Sequence, residues 1–150
     1  MRVSQKGLDL IKQFESLRLQ AYLCPANIWT IGYGSTQGVK SGMTISATDA
    51  DARLAKDLEP VESVLNSTLK HPVTQNMFDA LASLIFNIGP GAFIRSTVKR
   101  CLDMNDPKAA ADAFLMWNKA RDASGKMIVL KGLTTRRSKE RDLFLSGMDK

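Results

Sequence analysis

The chain has little cysteine and histidine. Its 150 residues include two cysteines, Cys24 and Cys101, and one histidine, His71. Two cysteines are too few for a disulfide framework, so we expect free thiols. A single histidine cannot form a Ser-His-Asp triad or a histidine-rich metal site. The sequence therefore implies neither a metal nor an organic cofactor.

Long apolar segments are missing as well. No segment approaches the roughly 18 consecutive apolar residues that a membrane span needs. Residues 1–15 are amphipathic and lack the apolar stretch and cleavage site of a signal peptide. We therefore expect a monomer that begins in the cytoplasm of the cell that makes it, without stable membrane insertion.

What the sequence has in excess is positive charge. Lys and Arg number 21 against 15 Asp and Glu, a net charge of +6, and residues 118–150 hold nine basic and four acidic residues. This predicts a basic face near the C-terminus and a polyanionic partner: nucleic acid, an anionic cell wall or an acidic membrane surface. The absence of zinc-ligand spacing, an RNP-like aromatic pair and an evident helix-turn-helix disfavours nucleic acid.

Periodicity predicts an α+β architecture in one domain. Ser4 is the expected N-cap of a first helix whose C-terminal end falls at Glu15. Residues 21–40 combine β-branched and aromatic residues with turn formers, which predicts a hairpin or a three-stranded antiparallel sheet. A helix over about residues 47–69, kinked by Pro60, is predicted to connect this lobe with the next.

The second lobe is predicted to be helical. The apolar run at 77–88 indicates a helix in the middle of a bundle, and a last helix is predicted from about Thr135 to Gly147. We therefore expect a lobe of about residues 1–58, a connector, a helical lobe of about residues 70–150, and a cleft where the lobes meet.

A motif that runs through the predicted sheet resembles a known active-site signature. Glu15 is followed nine residues later by Cys24 and fifteen residues later by Thr30, which begins the sequence Thr-Ile-Gly-Tyr-Gly. This pattern is similar to that of the phage lysozymes, glycoside hydrolase family 24, in which a glutamate is followed by an aspartate and a threonine. Residues 80–97 and 132–147 resemble the central helix and the closing helix of that family.

The resemblance implies a two-lobed lysozyme-like fold and an endolysin function. Such an enzyme hydrolyses the β-1,4 bond between N-acetylmuramic acid and N-acetylglucosamine in peptidoglycan. A phage or prophage endolysin without an export signal would wait in the host cytoplasm for a membrane-permeabilising holin and then lyse the host.

Site residues follow from the reaction and from the resemblance. Glycosidic cleavage needs a carboxylic acid that still holds its proton near neutral pH, and we assign this role to Glu15. The resemblance implies that Arg136 pairs with the acid. Tyr33 is a candidate sugar-binding residue because its neighbours Gly32 and Gly34 leave room for a ligand to approach the backbone.

Cys24 stands where the phage lysozymes have aspartate, which leaves the second catalytic role open. With an ordinary thiol pKa of about 8.5, Cys24 is expected to be mostly neutral. A neutral Cys24 and the Thr30 hydroxyl could position water and give inversion, whereas an ionised Cys24 could attack the anomeric carbon and give retention. Alternatively, the sugar 6-hydroxyl could attack and leave an anhydro product, or the chain could be an attenuated wall-binding relative.

Overall fold

Helices dominate the fold, and two short antiparallel hairpins complete it. The computed structural model describes residues 1–148 of the chain. In chain order the elements are α1 (Gln5–Phe14), β1 (Arg18–Leu23), β2 (Trp29–Gly32), α2 (Ala47–Asp57), α3 (Glu59–Thr68), α4 (Gln75–Ile88), α5 (Pro90–Ile94), α6 (Thr97–Asp103), α7 (Pro107–Ala113), a 3₁₀ turn (Phe114–Met116), β3 (Lys119–Arg121), β4 (Met127–Val129) and α8 (Lys131–Ser146). The predicted α+β class is confirmed.

The predicted connector consists of two helices that meet at Leu58. Ser46 begins α2 with a capping box: its side chain accepts from the N–H of Asp49, and the Asp49 carboxylate accepts from the N–H of Ser46. Pro60 lies in the first turn of α3, where a helix does not need the missing N–H. The single kinked helix predicted over 47–69 is therefore two separate helices, α2 and α3, divided at Leu58.

The core forms around α4, as the apolar run predicted. Phe78, Leu81 and Leu84 on this helix are fully buried. Further fully buried large apolar side chains come from several elements of the chain, among them Ile11, Ile31, Leu54, Leu58, Leu65, Phe93, Phe114 and Phe144. Because α1, α3 and α8 all pack on α4, this helix fixes the relative positions of the N-terminal and C-terminal helices.

The first hairpin carries the predicted site loop. β1 pairs with β2 antiparallel, with Tyr22 opposite Thr30 and Leu23 opposite Trp29. Asn27 adopts a positive φ of 61° in the connecting turn, a conformation that asparagine tolerates better than most residues. The sheet begins at Arg18, three residues earlier than predicted.

Three other predicted features need correction. Ser4 is the N-cap of α1, but its hydroxyl bonds to Asp79 and not to the helix backbone. A second hairpin, β3 with β4, lies within the region predicted as purely helical. The last helix begins at Lys131 and not near Thr135, since the chain turns helical directly after β4 without a capping side chain.

The structure also bears on membrane spanning. Within residues 1–148, no helix is both long enough and apolar enough to cross a bilayer.

Candidate active site

Glu15 is placed by the end of the first helix. Its backbone N–H still donates to the carbonyl of Ile11 at 3.0 Å, but its own φ and ψ of −96° and 124° are extended. The chain therefore leaves α1 at this residue and enters β1 three residues later. The Glu15 side chain is 26% exposed, so its carboxyl group can meet a ligand while part of it is held by the protein.

Two grooves meet at Glu15, each with a volume of about 530 Å³. We name them the sheet-side groove and the helix-side groove. The sheet-side groove is lined by Glu15, Tyr33, Gly34, Thr36, Gln37, Asp57, Phe86 and Asn87. The helix-side groove is lined by Phe14, Glu15, Asn87, Leu130, Lys131, Gly132, Leu133 and Arg136. Glu15 and Asn87 belong to both, so the acidic side chain lies where an extended ligand would pass from one groove to the other.

Arg136 holds one oxygen of this carboxyl group. Its Nη1 donates to Oε1 of Glu15 at 2.9 Å, and its guanidinium carbon lies 5.5 Å from the centre of the Phe14 ring. The Arg136 side chain is only 4% exposed. The resemblance led us to expect this contact between Arg136 and Glu15, and the structure contains it. The contribution of Arg136 to catalysis stays a prediction.

Behind Arg136 lies a buried network of charges that the sequence analysis did not identify. Nε of Arg136 donates to Oε2 of Glu140 at 3.2 Å, and Nη2 donates to the carbonyl of Ser83 at 3.1 Å. The Ser83 hydroxyl donates to the same Glu140 oxygen at 2.5 Å. Since Glu140 is fully buried, its charge must be compensated locally, and these donors provide the compensation.

Arg137 completes the network. Its Nη2 donates to Oε2 of Glu140 at 3.1 Å, and its Nη1 donates to the carbonyl of Trp117 at 3.3 Å. Burial lowers the pKa of the Arg137 guanidinium, and the charge of Glu140 opposes that effect. Arg136 and Arg137 are buried and paired, so these two of the nine basic residues counted in 118–150 do not contribute to an exposed basic face. The sequence feature that could have indicated this buried network is the spacing Arg-Arg-x-x-Glu together with a serine on the apolar helix α4.

Cys24 lies in the β1–β2 turn and is half-buried. Its backbone N–H donates to the carbonyl of Ile28 at 3.1 Å, and its carbonyl accepts from the N–H of Asn27 at 2.9 Å. Hydrogen bonding to the backbone of Ile28, and then of Ala26, lowers the pKa of the Cys24 thiol, and the Thr30 hydroxyl adds a smaller effect in the same direction. At a given pH, a larger fraction of Cys24 is therefore ionised than an ordinary thiol pKa implies.

Thr30 is nearly buried within β2. It is 4% exposed, and its hydroxyl donates to the carbonyl of Ile28 at 2.9 Å. Neither Thr30 nor Cys24 is among the residues that line the two grooves. The hairpin brings Thr30 and Cys24 together, and their catalytic roles stay predictions.

Tyr33 and Asp57 both line the sheet-side groove with Glu15. Tyr33 follows Gly32, whose φ of 67° turns the chain out of β2. Asp57, the last residue of α2, was missed by the sequence analysis, and its carboxylate accepts a hydrogen bond from the hydroxyl of Ser35. Ser35 is 2% exposed, so it orients the Asp57 carboxylate from beneath the groove.

In the part of the chain that the structure describes, residues 1–148, no group of three or more His, Cys, Asp or Glu side chains could hold a metal ion.

This combination defines a class of protein. A partly exposed carboxyl group at the junction of two grooves, in a mainly helical α+β fold with two small sheets, is the arrangement of a lysozyme-type glycoside hydrolase. The chain belongs to the phage lysozyme family, whose model matches residues 12–140.

Individual relatives agree with this assignment. The chain is 45% identical over 146 residues to the endolysin of Acyrthosiphon pisum secondary endosymbiont phage 1, covering 97% of this chain and 99% of that protein. The muramidase domain of SpmX from Asticaccaulis excentricus superposes with a TM-score of 0.92 at 43% identity, covering 96% of this chain and 97% of that domain. An endolysin from Escherichia coli O157:H7 phage FAHEc1 superposes with a TM-score of 0.89 at 42% identity, covering 97% and 94% of the two chains. The predicted lysozyme-like fold and family are confirmed.

Proposed function

We propose that this chain is an endolysin that hydrolyses the β-1,4 bond between N-acetylmuramic acid and N-acetylglucosamine in bacterial peptidoglycan, with Glu15 as the general acid. The observation that supports this most directly is the position of Glu15 at the junction of two grooves. A glycan strand that occupies both grooves passes the carboxyl group of Glu15. In the cell, the enzyme reaches the wall from the cytoplasm after a holin permeabilises the membrane.

The contact with Arg136 fixes the orientation of the Glu15 carboxyl group. Arg136 donates to Oε1, and within residues 1–148 no hydrogen-bond donor contacts Oε2. We assign the transferable proton to Oε2. As the bond between the anomeric carbon and the glycosidic oxygen breaks, that oxygen takes the proton and leaves as a sugar hydroxyl. Arg136 then stabilises the carboxylate that remains.

The lowered pKa of Cys24 supports a larger thiolate fraction on the hairpin at a given pH. A thiolate next to the Thr30 hydroxyl is a better base and nucleophile than the neutral thiol. As a base it would take a proton from the water that adds to the anomeric carbon, and the product would be inverted. As a nucleophile it would form a thioglycosyl intermediate that water then hydrolyses, and the product would keep its configuration.

Lysis of permeabilised cells tests the proposal. Glu15→Gln keeps the size and the Arg136 contact of the side chain but removes the transferable proton, so we expect it to abolish turbidity clearing of outer-membrane-permeabilised cells. Glu59→Gln changes an exposed carboxyl group on α3 and is the matched control, with clearing unchanged. Clearing by Glu15→Gln at the wild-type rate would overturn the assignment of the acid.

Product analysis tests the reaction type. Mass spectrometry of digested peptidoglycan should find reducing ends, and NMR of the fresh product should report which anomer forms. Anhydro ends would instead assign the chain to intramolecular attack by the sugar 6-hydroxyl. Binding to sacculi without any cleavage would identify an attenuated wall-binding relative.

A further inference from the structure

A third groove continues the sheet-side groove away from Glu15. It has a volume of about 410 Å³ and is lined by Gln37, Ala52, Arg53, Lys56 and Asp57. Gln37 and Asp57 line the sheet-side groove as well. The three grooves are therefore neighbours, with Glu15 shared by the helix-side and sheet-side grooves and the Gln37–Asp57 pair shared by the sheet-side groove and the third groove. We name the third one the cationic groove.

Two side chains of α2 give this groove its charge. Arg53 and Lys56 are three residues apart, so they lie on the same face of the helix. Nη1 of Arg53 donates to the carbonyl of Gln37 at 3.1 Å, which holds the guanidinium at the groove while its other N–H groups stay available. Within residues 1–148, neither cation has an acidic partner within 4.0 Å.

Asp57 is the acidic residue of the groove, and it does not neutralise these cations. Its carboxylate accepts a hydrogen bond from the hydroxyl of the nearly buried Ser35, at the junction with the sheet-side groove. Two cations and one carboxylate leave the groove with a net positive charge. Free N–H groups beside a groove that we propose as the glycan site are complementary to an anionic group attached to that glycan.

We propose that the cationic groove is a binding site for a carboxylate of the peptide attached to the glycan strand, with Arg53 and Lys56 as its ligands. This rests on the proposed function, because it takes the sheet-side groove as the glycan site. The sugar ring next to the junction meets Gln37 and Asp57, and its peptide substituent reaches the two cations. The enzyme thereby discriminates peptide-bearing strands from bare strands.

Binding in the Glu15→Gln background tests this without cleavage. The double substitution Arg53→Gln/Lys56→Gln removes both charges, and Lys6→Gln/Lys139→Gln removes two exposed charges from α1 and α8 as the matched control. Calorimetry measures Kd for soluble strands with stem peptides, for strands stripped by an amidase, and for neutral chitooligosaccharides.

We expect the double variant to bind peptide-bearing strands about 3- to 20-fold more weakly, as two partly solvated ion pairs would predict. Its Kd for stripped strands and for chitooligosaccharides should not change, and added salt should reduce the difference for peptide-bearing strands. The control variant should match the parent on all three ligands.

Three results would overturn the proposal. An equal loss on neutral chitooligosaccharides would make Arg53 and Lys56 sugar contacts. An equal loss on stripped strands would assign the anion to the lactyl carboxylate next to the sugar. No loss on any ligand would show that the groove is not used. If the wild-type protein fails to clear cells while the charge-dependent difference persists, the proposed hydrolysis is wrong and this binding site stands.

Discussion

Arg136 and Glu140 are joined one turn apart on α8, with Nε 3.2 Å from Oε2, and both side chains lie out of solvent. The pair orients Arg136 so that its Nη1 reaches Glu15. The candidate acid Glu15, at the end of α1, is thus held in place through Arg136 by the Glu140 carboxylate on α8. This relationship makes Glu140 a positioning residue in our proposal.

Glu140→Gln should therefore destabilise the protein. The variant leaves Arg136 and Arg137 buried without their common counter-charge, which typically costs about 3–5 kcal/mol. Urea denaturation measures the loss in the free energy of unfolding. Asp112→Asn is the control, because it breaks an exposed ion pair with Arg141 and should cost less than about 1 kcal/mol. Similar losses for the two variants would contradict a structural role for the buried charge.

Arg136→Lys should reduce turnover while keeping one positive charge in the buried network. An ammonium group cannot donate along the separate directions of Glu15, Glu140 and the Ser83 carbonyl, so the carboxyl group of Glu15 loses its fixed orientation. We expect kcat to fall about 10- to 100-fold while KM changes little. Arg141→Lys on the surface of the same helix should leave kcat unchanged. Full activity of Arg136→Lys would show that the guanidinium fork is not needed.

Much of the fold could be predicted because long elements have a clear period. The apolar run on α4 indicated the central helix, and the same reasoning placed Glu15 at the end of α1. The β3 and β4 strands were missed because three residues are too few to show an alternation. The start of α8 was misplaced because Leu130 precedes it without a capping side chain.

The site was predictable only where the family motif names residues. Glu15, Thr30 and Cys24 came from that motif, and Arg136 came from the resemblance. The charge count over residues 118–150 included Arg136 and Arg137, and a sequence does not show which charges are buried against each other. Asp57 was missed for another reason: its place in the groove depends on how the chain after β2 packs on the end of α2.

Cys24 should react with iodoacetamide at a lower pH than an ordinary thiol. Its lowered pKa means a larger thiolate fraction at each pH, and alkylation follows the thiolate. In a Cys101→Ser background, the pH midpoint of alkylation should lie below that of a small-molecule thiol. A midpoint equal to that of the free thiol would contradict the hydrogen-bonding account.

Gly7→Ala should destabilise the contact between α1 and α4. A Cβ at Gly7 would lie 2.6 Å from Cγ1 of Val3 and 2.8 Å from Cγ of Asp79, and Asp79 cannot easily move because the N–H of Ser4 donates to it at 2.9 Å. We expect a loss of about 1–3 kcal/mol in urea denaturation, although alanine favours helices. Gly132→Ala on α8 meets no atom within 4 Å and should instead gain about 0.4–1 kcal/mol. If both substitutions stabilise the protein, the close approach of α1 to Asp79 is not a packing constraint.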